Sequence, residues 1–165
     1  MIIRNEAPRD REAIHDVVTA AFADMEHSNH TEARIVDALR AAGVLRHSLI
    51  AVDGDEVVGH VAFSPVEIDG TRTDWLGLGP VAVRPDRQGE GIGAALIREG
   101  LERLRAEGAA GCVVLGEPGY YGRFGFRAEP GLRLPDVPPA YFQALAFDRE
   151  VPSGGVAYHA AFAVD

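Results

Sequence analysis

The sequence contains no lysine; all 16 of its basic side chains are arginine. Any chemistry that needs a lysine amine is thereby excluded, from Schiff bases to the ammonium of a P-loop. A single cysteine, Cys112, rules out an internal disulfide, and the apolar, strand-like residues around it suit a small buried side chain rather than a nucleophile. No stretch approaches the roughly 20 consecutive apolar residues that cross a bilayer. The opening Met-Ile-Ile-Arg-Asn-Glu lacks the basic and then apolar regions of a secretory signal. A cytoplasmic location and no membrane partner are expected. Positive charge is scarce: 16 basic residues against 25 acidic ones leave a formal net charge of −9. That balance excludes a broad attraction to nucleic acid, so an anionic cofactor would need a local grip. His15, His27, His30 and His47 form no recognisable metal pattern with carboxylates, and no metal is expected.

Apolar residues run along all 165 positions, enough to bury a core in one domain, residues 1–165, without staples. A short strand over residues 2–6 precedes an amphipathic helix over 10–22, with Ile14, Val17, Val18 and Ala21 on one face and Asp10 as its N-cap. Asn29, with Glu32 three residues on, resembles a capping box, and Gly43 suits the C′ position. These predict a second helix over 30–42. Residues 48–52 and 56–68 are strand-like runs joined by Asp53-Gly54-Asp55, a turn suited to positive φ, and so form an antiparallel hairpin. A third run over 75–83 leads into a long helix over 91–107, where Ile97, Leu101 and Leu104 make one apolar stripe. With a buried strand at 112–115, this is a crossover unit with parallel strands. The remainder comprises an aromatic segment at 120–126, a proline-rich connection at 135–139, and strands over 141–147 and 156–164.

The stretch from Val81 to Ala94 carries the chemistry. A helix N-terminus leaves about four amides unpaired and bears a partial positive charge, so it can hold a phosphate without any lysine. Gly89, Gly91 and Gly93 let the backbone approach such an anion closely. An ordinary glycine-rich turn would carry the same glycines. A P-loop lacks its Gly-Lys-Ser/Thr ending here. A dinucleotide fingerprint fits the spacing of Gly89, Gly91 and Ala94, with Glu117 further on, but Arg84 to Gln88, Pro85 among them, separate the strand from its first glycine.

Gln88-x-x-Gly91-x-Gly93, immediately after a strand ending Val81-Ala82-Val83-x-Pro85, resembles the Q/R-x-x-G-x-G/A signature of the GNAT superfamily of N-acetyltransferases. The preceding hairpin, the following helix and Tyr121-x-x-x-Gly125-Phe126 occur in that family's order. The wording Leu76-Gly77-Leu78-Gly79-Pro80 and Tyr120-Tyr121-Gly122-Arg123-Phe124 is similar to its bacterial YhbS-like branch. The resemblance covers essentially the whole chain. It implies an α+β (α/β) fold of the GNAT acyltransferase type: a mixed, mostly antiparallel central sheet of about six to seven strands, splayed in the middle and flanked by about four helices. It also implies acetyl-CoA as cosubstrate, lying between the strand at 76–83 and that at 112–116. The backbone of Val81, Ala82 and Val83 would receive the pantetheine arm, with the amides of Val81 and Val83 pairing to it. The amides of Gln88, Gly89, Gly91, Gly93 and Ala94 would hold the pyrophosphate. Arg84 and Arg87 could add charge for the outer phosphate or be solvated surface arginines.

Acetyl transfer needs a neutral amine, stabilisation of the developing oxyanion and a proton for the departing thiolate. By resemblance, a backbone amide near Val81 polarises the carbonyl and Tyr121 is the general acid, which a phenol near pKa 10 can be. Its alternative is packing in an aromatic cluster with Tyr120, Phe124 and Phe126. Glu67, Glu117 and His60 are candidates for the base, each with a competing structural role. Trp75 and His159 suit packing. The leading expectation is an acetyl-CoA-dependent N-acetyltransferase acting on a primary amine of a small molecule or peptide, with a homodimer left open. The alternatives are a catalytically weak acyl-CoA-binding or regulatory module and a small dinucleotide-binding oxidoreductase.

Overall fold

The computed structural model describes residues 1–147 and 150–165, which group into two compact units: Met1–Phe63 with Gly79–Gly100 and Ala160–Asp165, and Ser64–Leu78 with Leu101–His159. Among the described residues there are eight strands and four α-helices. β3 (Glu56–Ile68), β4 (Thr71–Val83) and α3 (Ile92–Ala106) each contribute to both units.

In the first unit, β1 (Ile2–Asn5) pairs antiparallel with β2 (His47–Asp53), Ile2 facing Val52. β2 pairs antiparallel with β3, His47 facing Phe63 and Asp53 facing Glu56, around the tight turn read from Asp53-Gly54-Asp55. α1 (Arg11–Phe22) and α2 (Glu32–Ala41) bury one face each: Ile14, Val17, Val18 and Ala21 meet Ala33 and Val36 over Ile50 of β2 and Ala82 of β4. Each large aliphatic side chain removed from water in this way contributes about 1.5–3 kcal/mol. α2 stops at a Schellman motif: Val44 N–H reaches Leu39 O at 3.1 Å, Gly43 N–H reaches Arg40 O at 3.1 Å, and Gly43 takes φ +72°. The first part of α3 lies close on β3, since a Cβ at Gly59 would come 2.9 Å from both Ile92 and Leu96.

In the second unit, the far part of β3 pairs antiparallel with β8 (Gly154–Tyr158), Val66 facing Tyr158. The near part of β4 pairs in parallel with β5 (Gly111–Leu115), as the crossover reading requires. β5 pairs antiparallel with β7 (Phe142–Ala146), and the two-residue β6 (Leu132–Arg133) pairs in parallel with β8. Val66, Trp75, Val113, Phe142 and Val156 form the centre of this unit's core. α4 (Pro118–Tyr121) runs into a 3-10 turn, Gly122–Phe124, closed by Gly125 at φ +99°. The result is a mixed, mostly antiparallel sheet with four helices among the described residues; β6, which extends the strand count beyond the expected range, is too short to have a readable period.

Three local expectations need correcting. Asp10 occupies the N-cap position of α1, but its side chain makes no cap bond; its carboxylate accepts Ala7 N–H at 2.6 Å and two bonds from Arg4, at 2.7 and 3.1 Å. The Asn29 capping box does not form either. His30 adopts φ +58°, Ser28 instead binds Glu32 at 2.6 Å, and α2 begins at Glu32. The last strand ends at Tyr158, and Ala160–Ala163 form a 3-10 turn in which Ala161 packs with Ile35 and Leu39 of α2.

Candidate functional site

In the first unit, the Arg84 N–H donates to Val58 O at 2.9 Å, so the amide two residues before it, on Ala82, points to the same edge. Strand alternation then directs the amides of Val81 and Val83 to the opposite edge. Ala82 is buried in the core, whereas Val81 and Val83 are half-buried. Pro85–Arg87 form one 3-10 turn, and the Gln88 side-chain amide closes the segment by donating to Val83 O at 3.2 Å. Gly89 and Gly91 follow at φ +81° and +84°, with no heavy atom within 4 Å of the place a Cβ would occupy. Ala95 N–H bonds Gly91 O at 3.0 Å, so the amides of the turn before it have no carbonyl within the helix to bind. The start of α3 is thus an open concavity lined by backbone N–H groups, suited to a phosphate. Gly93 lies inside the first turn of α3 and takes no left-handed φ.

The arginines beside this turn are already engaged. Arg84 binds Glu56 at 2.6 Å and Asp86 at 2.7 Å; Arg87 binds Asp53 at 2.9 Å and Glu90 at 3.1 Å. Two cations among four carboxylates leave the rim of the concavity net negative. Backbone amides and the helix dipole, not arginine charge, are what it offers an anion.

His60, a candidate base, is fully buried in the same unit. Its Nε2 lies 2.7 Å from Ser48 Oγ, Ser48 donates to Glu6, and Arg40 clamps both Glu6 oxygens at 2.8 Å. Burial pushes the imidazole down to about 4, with Glu6 pulling upward. A neutral base sealed from solvent cannot meet an incoming amine, so His60 is a structural member of a polar network. Nothing local in the sequence announces that network, because Glu6 stands 34 residues from Arg40 and 42 from Ser48. An open cleft of about 380 Å³ lies beside it, lined by Asn5, Glu6, Arg40, Arg46 and Ser48 among others.

In the second unit, Tyr121 ends α4 and is half-buried. Its ring lies on Gly116, where a Cβ would come 2.9 Å from Cδ2, and meets Tyr120 edge-on at 5.0 Å and Phe126 at 6.1 Å. Burial, then Tyr120, pushes its phenol up to about 12, so it keeps its proton throughout the neutral range. Glu67 and Glu117 are both exposed. Trp75 is core, its ring packed on Gly111. Cys112 is buried and burial raises its thiol pKa, as an inert cysteine requires. A further phenol, Tyr158, belongs to this unit; its signal in the sequence was Gly77, a glycine inside a strand, which marks a close approach.

Residues 3–128 match the family model described as an acetyltransferase (GNAT) domain. The chain belongs to the GNAT acetyltransferase family. It is 39% identical over 127 residues to the uncharacterized N-acetyltransferase YhbS of Escherichia coli K12, covering 76% of this chain and 73% of that protein. A crystal structure of a GNAT family acetyltransferase from Brucella melitensis in complex with acetyl-CoA is 55% identical and superposes with a TM-score of 0.89, covering 98% of this chain and 97% of that one. Escherichia coli YhbS in complex with CoA gives a TM-score of 0.89 at 35% identity, covering 99% of this chain and 92% of its own. This GNAT protein is therefore an acyltransferase, and the dinucleotide oxidoreductase reading is set aside. No helix among the described residues is long and apolar enough to cross a membrane.

Proposed function

We propose that this chain is a single N-acetyltransferase domain, residues 1–165, that takes an acetyl group from acetyl-CoA and transfers it directly to a primary amine. The observation that carries the reading is the open concavity at Gly89 and Gly91, with unpaired amides and no atom where a Cβ would lie. A pyrophosphate fits that donor set. Gln88, Gly89, Gly91, Gly93 and Ala94 supply the grip, and the outward amides of Val81 and Val83, flanking Ala82, supply a strand edge for the amide-bearing pantetheine arm. Both solved relatives carry this cofactor or its thiol form.

Bound acetyl-CoA supplies a thioester carbonyl and a thiolate leaving group. Tyr121 Oη holds a proton at every neutral pH and donates it to sulfur as the carbon–sulfur bond breaks. The acceptor attacks as a neutral amine after its ammonium proton has gone to solvent; it loses one further proton as its carbon–nitrogen bond forms, and that proton restores the phenol. A backbone amide near Val81 polarises the carbonyl. The negative net charge favours a cationic acceptor, either a small molecule or a peptide. Cytoplasmic action without nucleic acid or membrane is consistent with that charge.

The test is a panel of small-molecule and peptide amines, with CoA thiol release measured for each and calorimetry of CoA run in parallel. Acetyl-CoA-dependent release with at least one amine is expected. Tight NADH binding with none for CoA would sink the reading.

A further inference from the structure

The antiparallel pairing of β5 with β7 ends at Leu115 opposite Phe142, and the next two residues, Gly116 and Tyr141, make only half of a pair. Gly116 N–H donates to Tyr141 O at 2.9 Å, but the return bond is absent because Tyr141 ends the 3-10 turn Pro139–Tyr141 and gives its N–H to Pro138 O at 3.0 Å. A side chain fills the gap. Gln143, buried on β7, donates from Nε2 to Gly116 O at 3.2 Å. Gly116 is thus held by its amide and by its carbonyl from the β7 side. The parallel ladder with β4 stops three residues earlier, at Val113, so β7 is the strand that steadies it. Gly116 is also the seat of Tyr121: a Cβ there would come 2.9 Å from Cδ2 and 3.3 Å from Cζ, so the ring lies directly on its Cα. The chain between seat and ring is a single tight turn, in which Tyr121 N–H closes on Glu117 O at 3.0 Å.

We propose that Gln143 is a positioning residue for acetyl transfer: its side-chain amide holds the Gly116 carbonyl and, through it, the surface on which the Tyr121 ring rests. This rests on the reading of Tyr121 as the acid. Only a donor can face the Gly116 oxygen, and Gln143 supplies the N–H that the Tyr141 backbone has given elsewhere. Without it the carbonyl is left unpaired, and an unpaired backbone carbonyl away from water turns its peptide toward another donor or draws water in. Glycine, with no Cβ, offers little resistance to such a turn. The Gly116 carbonyl belongs to the peptide that enters Glu117, the residue preceding α4, so the start of α4 moves with it. The ring then loses its fixed seat, and misplacing a reacting group by about 1 Å costs up to about 10²-fold in rate.

NMR reads the seat with no substrate present. The Gly116 Hα aimed at the Tyr121 ring carries its ring-current shift, and Tyr121→Leu gives the value without the ring. Gln143→Met, matched in length but with no N–H to give, should move that signal toward the Tyr121→Leu value; should that variant not fold, Gln143→Leu is read in the same way. Thiol release from saturating acetyl-CoA, with water as the acceptor, should fall about 10–100-fold in Gln143→Met while CoA affinity by calorimetry is unchanged. In a Tyr121→Phe background the same change should cost less than about twofold, because a residue that acts through the Tyr121 proton has nothing left to position there. A purely structural role would cost the same in both backgrounds. An unmoved Gly116 signal, an undiminished turnover or an equal loss in the two backgrounds overturns the proposal. Full thiol release by Tyr121→Phe, with the Gly116 signal moved as expected, would instead overturn the acid role on which it rests.

Discussion

His60 Nε2 and the Ser48 hydroxyl stand 2.7 Å apart inside the first unit, and the Ser48 O–H donates its hydrogen bond to Glu6. Ser48 has only one proton to give, so Nε2 carries the imidazole proton and Nδ1 is the bare nitrogen, with no hydrogen-bond partner among the described residues. Burial lowers the folded pKa from 6.5 to about 4. A proton therefore binds the unfolded chain first, and stability that is full above about pH 6.5 is lost as pH falls toward 4. Urea unfolding should show a loss of about 2 kcal/mol between pH 7 and pH 5. Glu6 acts in the same direction: burial opposes its ionisation, but Arg40 and Ser48 hold its carboxyl below the usual range. A flat stability profile across that interval would contradict the assignment.

Gly91→Val should abolish most of the grip on CoA. Valine is poorly accommodated at φ +84°, which costs about 1–3 kcal/mol, and any shift in that turn re-aims the amides around it. We expect CoA affinity by calorimetry to drop at least about tenfold while the circular dichroism spectrum is kept.

Tyr121→Phe keeps the ring on Gly116 and removes the proton. Thiol release with an accepted amine should fall by about 10²–10⁴-fold with little change in CoA affinity. Because burial holds the parent phenol protonated up to about pH 12, the parent rate should show no loss from Tyr121 ionisation between about pH 7 and pH 10. Equal activity in the variant would assign the ring to packing alone.

The carboxylates around Arg87 should weaken, not strengthen, anion binding. The double change Asp53→Asn and Glu90→Gln frees a guanidinium held at 2.9 and 3.1 Å. CoA affinity should rise a few-fold at low salt and return to the parent value near 1 M salt, where the screening length is about 3 Å. Calorimetry at two ionic strengths reads this directly.

Gly100→Ala tests how α3 is seated. A Cβ there would collide with the Phe63 ring of β3, and overpacking of this kind costs about 1–3 kcal/mol. The urea midpoint should fall accordingly.

Legibility followed locality. β3 was readable to the residue because its valine-rich run ends at two turns, one tight and one carrying Asp69-Gly70. Gly43 as a C′ residue was readable because the Schellman motif depends on few neighbours. The start of α2 was not, since Asn29 has the right spacing but His30 turns left-handed and Ser28 takes Glu32. The end of β8 was missed because small apolar residues at 160–163 suit a strand as well as they suit a turn under α2. Asp86 and Glu90 are local partners of Arg84 and Arg87, but the other half of their engagement was invisible because Glu56 and Asp53 lie 28 and 34 residues away.

By itself, the sequence determined the order of elements, the glycine-bearing turn at the start of α3 and the place of Tyr121 four residues before Gly125. All three are encoded within a few residues, through backbone conformation, helix-end amides and side-chain type. Only the tertiary structure decided that His60 is sealed in a polar network, that arginines beside the turn are neutralised by carboxylates, and that Tyr158 lies on Gly77. Those outcomes depend on desolvation and on contacts between distant segments, which sequence spacing does not express.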